Sequence, residues 1–158
     1  MVQLDESKAL PRVIMARIIE PTTDAEWEIY YELRYRILRA PWGQPRGSEF
    51  DESDARSINR MMEDGGEALA VSRLHFNSDH EAQIRYMAVD TRHQGKGFGR
   101  EMLEHMEHIS ASMGAKTVVL EARDNAVGFY ERCGYTVKAP SYLLFGTIQH
   151  YTMEKIVL

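Results

Sequence analysis

A length of 158 residues, with 44% apolar and 27% charged side chains, suits one globular domain that can bury a core. The net charge of −5 argues against a nucleic-acid or anionic-membrane surface, and no apolar run approaches the roughly 18 residues of a membrane span. The single Cys133 excludes an intramolecular disulfide and makes a reducing, cytoplasmic location the default, and no Cys/His/Asp spacing predicts a metal site.

The first half of the chain predicts one helix among several strands. Residues 1–11 are polar and are expected to form a loose lead-in to one domain over residues 1–158, and β-branched residues at 13–19 predict a first strand. Thr23 and Glu26 have capping-box spacing, which predicts a helix from there to about Leu38. Strands follow at 57–62, 67–76 and 81–89, the first two joined by a hairpin turn at Asp64-Gly65-Gly66. In the third strand, alternation places Gln83, Arg85 and Met87 on the face opposite to Ile84, Tyr86 and Ala88.

Residues 39–54 are rich in proline and glycine, which predicts a loop or a broken helix, and they end in the acidic cluster Glu49, Asp51, Glu52 and Asp54. Two interpretations stay open. The loop is a solvated surface segment, or it binds the substrate, since long irregular loops in compact domains are often functional.

The second half alternates strands and helices. A helix is predicted over 98–113, followed by a strand at 117–122, a short helix at 125–132, and strands at 135–139 and 148–157. The long helix has one apolar face, made of Phe98, Met102, Met106, Ile109 and Met113. This order predicts an α+β fold, α/β-like in its second half, around a mixed sheet.

The segment Gln94-Gly95-Lys96-Gly97-Phe98-Gly99 joins a strand to this helix. Glycines at a helix N-terminus expose backbone N–H groups to phosphate oxygens, and Arg92, Lys96 and Arg100 add positive charge there. The nucleoside-triphosphate loop requires a Lys-Ser/Thr pair that is missing here. The dinucleotide fingerprint is one residue longer, although Glu121 superficially fits its ribose-binding acid.

The glycine segment resembles the pyrophosphate loop of the GCN5-related N-acetyltransferase (GNAT) superfamily. Residues 125–135 resemble the family's Asn…Phe-Tyr-x-x-x-Gly-Phe/Tyr signature, so the similarity covers roughly residues 81–138. It implies the GNAT fold: a mixed, mostly antiparallel sheet of six to seven strands, flanked by about four helices, with splayed parallel strands at the cofactor site. It also implies acetyl-coenzyme A as co-substrate, without a metal.

The resemblance further implies where that co-substrate binds. The pyrophosphate would take backbone N–H groups of the glycine segment, and the pantetheine arm would pair with a strand edge. Asn125 would bond the arm or cap the short helix, and Tyr130 would protonate the leaving thiolate. The implied cofactor-binding residues are Met87, Ala88, Val89, Gln94, Gly95, Lys96, Gly97, Phe98, Gly99, Arg100, Asn125 and Tyr130.

The general base stays open. Several family members carry a Glu near the position of Gln83, which cannot accept a proton at neutral pH. Glu81 on the same face, His150 on the last strand, or a chain of water molecules are the candidates. Arg85 would hold an acceptor carboxylate or pair with Glu81. The nearby Arg34, Arg36 and Arg39 would likewise bind an anionic acceptor or coat a helix.

The sequence thus predicts an N-acetyltransferase that acts on a primary amine of a small molecule, as a monomer or homodimer, without nucleic-acid or membrane partners. One alternative is an acyl-coenzyme A sensor without turnover, suggested by the missing acid at Gln83. A dinucleotide enzyme is disfavoured by the glycine spacing and by the short chain after Glu121.

Overall fold

The computed structural model describes residues 14–157 as a seven-stranded mixed sheet with a hydrophobic cluster on each face. The strands are β1 (Arg17–Ile19), β2 (Ile58–Asp64), β3 (Glu67–Phe76), β4 (Glu81–Val89), β5 (Thr117–Arg123), β6 (Thr136–Leu144) and β7 (Ile148–Ile156). The helices are α1 (Asp24–Leu38), α2 (Phe98–Ser112) and α3 (Val127–Arg132). The sheet order is β1-β2-β3-β4-β5-β7-β6, and within the described range only β4 and β5 are parallel neighbours.

This architecture confirms the predicted fold class. The described residues contain three α-helices and four short 3₁₀ turns, where about four helices were expected. None of the helices between residues 14 and 157 is long and apolar enough to cross a bilayer. The predicted lead-in and the beginning of the first predicted strand lie outside the described residues.

Local sequence signals fix several boundaries. The α1 capping box is present, because the Glu26 N–H donates to Thr23 Oγ1 at 3.1 Å and the Thr23 N–H donates to Glu26 Oε1 at 3.1 Å. The predicted bounds of β4 match the structure. By contrast, α3 begins only at Val127, because residues 124–126 form a 3₁₀ turn.

The apolar face of α2 is shorter than predicted. Met102 and Met106 are fully buried, whereas the Met113 side chain is 55% exposed. The helix ends at Ser112, and the chain turns away at Gly114 with a φ of +99°. The prediction that Met113 belongs to the buried face was therefore wrong.

A break in the sheet lies between β4 and β5. Their pairing runs from Glu81–Thr117 to Ile84–Leu120 and then stops, while β4 continues along β3. The register between β3 and β4 shifts beside Arg85, and Tyr86 has a φ of +56°, so this is a β-bulge. Beyond it, the β4 edge facing β5 has no strand partner.

The bulge also corrects the predicted alternation of side chains in β4. Met87 packs on the same hydrophobic cluster as Ile84, whereas Ala88 packs on the cluster of the opposite face. Met87 therefore does not share a face with Gln83 and Arg85. The extra residue of a bulge reverses the period-two pattern that the prediction assumed.

A buried ionic network holds the bulge and the 39–54 loop together. The Arg34 Nη1 donates to Asp54 Oδ2 at 2.8 Å, and the Arg73 Nη1 donates to Asp54 Oδ1 at 3.0 Å. The Tyr86 hydroxyl donates to Asp51 Oδ2 at 2.7 Å. Asp54 is buried, so the solvated interpretation was wrong for this residue. Two carboxylates of the acidic cluster are structural anchors.

We predict that Asp54→Asn lowers the free energy of unfolding by about 3–5 kcal/mol, because removing one partner leaves buried charges uncompensated. The side chains of Arg34 and Arg73 are 0% and 2% exposed, so water cannot replace the lost carboxylate. Urea denaturation measures the change. The exposed Glu52 in the same loop provides the control, since Glu52→Gln should stay within about 0.5 kcal/mol of wild type. Equal stability of the two variants would contradict this account.

Candidate active site

Two adjoining cavities occupy the break between β4 and β5. The large cleft, about 710 Å³, extends along the glycine segment, the free edge of β4 and the start of α3. The small cavity, about 150 Å³, lies between the ends of β4, β5 and β7 and the loop after α1. They meet at a shared wall formed by Leu38, Met87, Arg123, Ala126 and Tyr130.

The glycine segment at the mouth of the large cleft has backbone features that suit an anion. Gly95 and Gly97 have φ values of +80° and +85°, which side chains other than glycine rarely adopt. The backbone N–H groups of Gly97, Phe98 and Gly99 donate to no other residue in the described part of the chain. These free N–H groups lie at the N-terminus of α2, where the helix dipole adds partial positive charge.

At position 99, close packing rather than the backbone φ requires a glycine. A Cβ there would lie 3.3 Å from the Phe129 ring and 3.4 Å from Val89 Cγ2. Its absence lets the first turn of α2 pack directly against α3 and the end of β4. The glycine segment is thereby held beside Tyr130, one residue after Phe129.

The structure brings nearly all of the sequence-predicted cofactor residues together. The large cleft is lined by Met87, Ala88, Val89, Gln94, Gly95, Gly97, Phe98, Gly99, Arg100, Asn125 and Tyr130. Lys96 is exposed beside His93 and does not line it. The cap residue of α3 is Ala126, so the idea that Asn125 caps this helix was wrong.

The cations around the glycine segment are partly neutralised. Arg92 pairs with Asp90 and Glu67, and Arg100 donates to the Arg132 carbonyl at 3.1 Å. Glu67 and Asp90 also lie close enough to His93 to hold an ion together, but Arg92 already bonds both carboxylates. Arg100 and Arg132 line the cleft and form no ion pair in the described part of the chain, so their positive charge adds to that of the backbone N–H groups.

Tyr130 stands at the junction of the two cavities. Its ring is held edge-on by Phe129 and Tyr135, with ring centroids 5.1 and 5.9 Å away. Its hydroxyl makes no hydrogen bond to any other residue between 14 and 157, which leaves it available to a ligand. Burial raises the pKa of Tyr130 above its usual value, so the phenol is protonated at neutral pH and can act as an acid.

Three arginines, Arg39, Arg85 and Arg123, line the small cavity. Arg39 Nη1 and Arg123 Nη2 both donate to the Leu38 carbonyl, at 3.0 and 3.1 Å. None of the three forms an ion pair with a carboxylate in the described part of the chain. Burial lowers the pKa of Arg123, and the charge of Arg39 lowers it further.

His150 lines the small cavity from β7. Its Nδ1 lies 3.0 Å from the Ile148 carbonyl, which requires the hydrogen on Nδ1 and leaves the Nε2 lone pair free. The ring stacks on Tyr142 with centroids 4.5 Å apart. Burial lowers the pKa of His150, so the imidazole is neutral at neutral pH and can accept a proton.

Of the remaining predicted site residues, some line the small cavity and others lie away from both cavities. Arg85 lines the small cavity and forms no ion pair with Glu81 in the described range, so that alternative was wrong. Glu81 lies at the opposite end of β4, where it accepts a hydrogen bond from Asn77 at 2.9 Å, and it lines neither cavity. Arg34 is buried against Asp54, and Arg36 pairs with Asp90, whereas Arg39 reaches the small cavity.

Sequence reasoning assigned no acceptor role to Glu121 and Arg123, which also line the small cavity. Both lie at the carboxyl end of β5, beside the carboxyl end of the parallel β4. Sites of α/β sheets often form where neighbouring parallel strands end. That rule could have found them once β4 and β5 were taken as neighbours.

Comparison with known proteins identifies the family. The sequence profile of the Acetyltransferase (GNAT) family matches residues 24–135, more than half of the chain. The chain belongs to the GNAT family of acetyltransferases. It is 25% identical over 144 residues to the uncharacterized N-acetyltransferase YjcF of Bacillus subtilis (strain 168), covering 91% of this chain and 99% of that protein.

Solved GNAT structures share the fold at low sequence identity. An acyl-CoA N-acyltransferase from Pseudomonas aeruginosa superposes with a TM-score of 0.76 at 20% identity, covering 90% of this chain and 99% of that one. An aminoglycoside 6'-N-acetyltransferase complexed with coenzyme A gives a TM-score of 0.76 at 13% identity, covering 92% and 98%. The GNAT profile ends at Tyr135, so Tyr142 and His150 come from chain beyond the matched segment.

We predict that His150 titrates below 6.5, the usual histidine value, because burial disfavours its charged form. Two-dimensional NMR of the imidazole nitrogens measures the titration and the tautomer, and the spectrum of His150→Gln assigns the signal. The expected neutral form carries its hydrogen on Nδ1. A titration above 6.5, or a neutral form protonated on Nε2, would contradict the assigned hydrogen bond.

Proposed function

We propose that this GNAT protein transfers an acetyl group from acetyl-coenzyme A to a primary amine of a small molecule. One observation carries the proposal: Tyr130, whose hydroxyl makes no hydrogen bond within residues 14–157, lines both the glycine-lined cleft and the arginine-lined cavity. A donor in the first and an acceptor in the second would react beside it.

The large cleft suits the parts of coenzyme A. The diphosphate would accept hydrogen bonds from the backbone of Gly97, Phe98 and Gly99. The peptide-like pantetheine arm would pair with the unpartnered edge of β4 at Met87 to Val89, in the manner of an added strand. The aminoglycoside acetyltransferase with the same fold holds coenzyme A, which supports this assignment.

The reaction is direct acyl transfer. The neutral amine attacks the thioester carbonyl and forms the new C–N bond, and the negative charge moves to the carbonyl oxygen. A backbone N–H near Met87 would donate to that oxyanion. Collapse breaks the C–S bond, and the Tyr130 phenol gives its proton to the sulfur so that a neutral thiol leaves.

His150 is the base that the geometry favours. The amine must lose a proton, and His150, whose Nδ1 hydrogen bond leaves the Nε2 lone pair free, lines the small cavity. The alternative Glu81 lines neither cavity. We assign to His150 the removal of the proton, directly or through one water molecule.

Replacing Tyr130 by phenylalanine removes the acid and keeps the ring. We predict a fall in kcat of about 10²–10⁴-fold, because a positioned acid contributes that much to a rate. Release of thiol during turnover measures the rate, and calorimetry should show an unchanged Kd for coenzyme A.

Tyr151→Phe is the matched control, since Tyr151 on β7 loses the same hydroxyl and lines neither cavity. It should keep the wild-type kcat. A wild-type rate in Tyr130→Phe, with chemistry shown to be rate-limiting, would remove Tyr130 from the mechanism. Coenzyme A binding without thiol release from any amine would instead favour a sensor without turnover.

Gly97→Ala tests the diphosphate site. A Cβ strains the left-handed backbone by about 1–2 kcal/mol and turns the N–H groups of the loop, so we predict about tenfold weaker binding of coenzyme A. Binding of pantetheine, which lacks the diphosphate, should not change.

The control for this variant is Gly66→Ala in the β2–β3 turn. Gly66 has a similar φ of +81° and, like Gly97, nothing within 4 Å of its Cβ position. Gly66→Ala should lower the free energy of unfolding by a similar amount and leave the Kd for coenzyme A unchanged. Equal loss of pantetheine and coenzyme A affinity in Gly97→Ala would argue against a diphosphate at this loop.

A further inference from the structure

Five arginines near the bulge fall into two groups by their partners. Arg34 and Arg73, buried beneath the bulge, share the carboxylate of Asp54. Arg39, Arg85 and Arg123 lie together in the small cavity, and none of them is neutralised by a carboxylate within residues 14–157. Partly buried charges of one sign are costly to hold together unless an opposite charge joins them.

The contacts of these three side chains are with carbonyl oxygens and aromatic rings, not with a counter-charge. Arg39 donates from Nε to the Ser48 carbonyl at 3.1 Å and from Nη1 to the Leu38 carbonyl. The Arg123 guanidinium lies over the Trp42 ring, 4.2 Å from its centroid, and that of Arg85 lies 4.8 Å from the Tyr86 centroid. A guanidinium has several N–H donors, so these contacts leave donors for a ligand.

One carboxylate lines the same cavity and stays apart from the arginines. Glu121 accepts hydrogen bonds from Thr152 Oγ1 at 2.9 and 3.0 Å, and it forms no ion pair with Arg39, Arg85 or Arg123. Its charge is therefore free to attract a cation. A cavity with separated positive and negative groups complements a molecule that carries both charges.

We propose that the acceptor is a small amine that also carries an oxyanion group, a carboxylate or a phosphate. Arg39, Arg85 and Arg123 bind the oxyanion, and Glu121 attracts the ammonium before it is deprotonated. This inference rests on the proposed acetyl transfer and names its substrate class. Polyamines and aminoglycosides are excluded as good acceptors, because their several cationic groups would meet three arginines in a cavity of about 150 Å³.

Matched pairs of amines test the proposal by thiol release from acetyl-coenzyme A. γ-Aminobutyrate is compared with butylamine, and phosphoethanolamine with ethanolamine, so each pair differs by the anionic group. We expect the anionic member of at least one pair to have the higher kcat/KM, by about 10- to 100-fold, as charge-assisted hydrogen bonds provide. The pair that shows the preference distinguishes carboxylate from phosphate, and spermidine should be a poor substrate.

Arg85→Gln links the preference to the cavity. It should raise KM for the preferred anionic amine about tenfold and leave KM for its neutral partner unchanged. The neutral partner thus reports whether the variant is folded and active. Arg56→Gln is the control, since Arg56 is an exposed arginine outside both cavities whose charge change is the same.

Three results would overturn the inference: neutral amines used as well as anionic ones, no anionic amine consumed although acetyl-coenzyme A binds, or an equal rise in KM for both members of a pair in Arg85→Gln. In each case, acetylation of a neutral amine or of spermidine would leave the proposed transferase function standing. Failure to bind acetyl-coenzyme A in calorimetry would overturn the proposed function itself.

Discussion

The break in pairing between β4 and β5 is the constraint on which the rest of the site depends. The two strands separate after Ile84 and Leu120, because a bulge at Tyr86 turns β4 away from its neighbour. The separation exposes a row of backbone groups on β4 and opens a cavity on either side of Tyr130. A continuous parallel pair would leave neither a strand edge for a pantetheine arm nor room for an acceptor.

Buried charged side chains pack beneath the bulge and stabilise it. The Tyr86 hydroxyl bonds Asp51, and the neighbouring Asp54 joins Arg34 on α1 to Arg73 on β3. A positive φ at a tyrosine is an uncommon conformation that persists only when its surroundings fix it. Arginines have a different environment in the nearby small cavity. The three that line it form no ion pair within the described residues, whereas Arg34 and Arg73 share a carboxylate.

Sequence patterns predicted the features that depend on neighbours along the chain. The capping box at Thr23 located the start of α1, the apolar pattern located the bounds of β4, and the glycine spacing located the turn that precedes α2. The bulge at Tyr86 was not predictable in this way, because the Tyr86 hydroxyl bonds Asp51, thirty-five residues away in sequence. The inward position of Asp54 and the joint placement of Glu121 and His150 likewise depend on which elements pack together.

The measurement that most directly tests this account is a crystal structure of the protein with coenzyme A bound. We predict a diphosphate on the backbone N–H groups of Gly97 to Gly99, a pantetheine arm paired with β4 from Met87 to Val89, and a sulfur within hydrogen-bond distance of the Tyr130 hydroxyl. Two results would contradict this prediction. One is coenzyme A bound outside the break between β4 and β5, and the other is a sulfur remote from Tyr130 together with a diphosphate remote from Gly97 to Gly99.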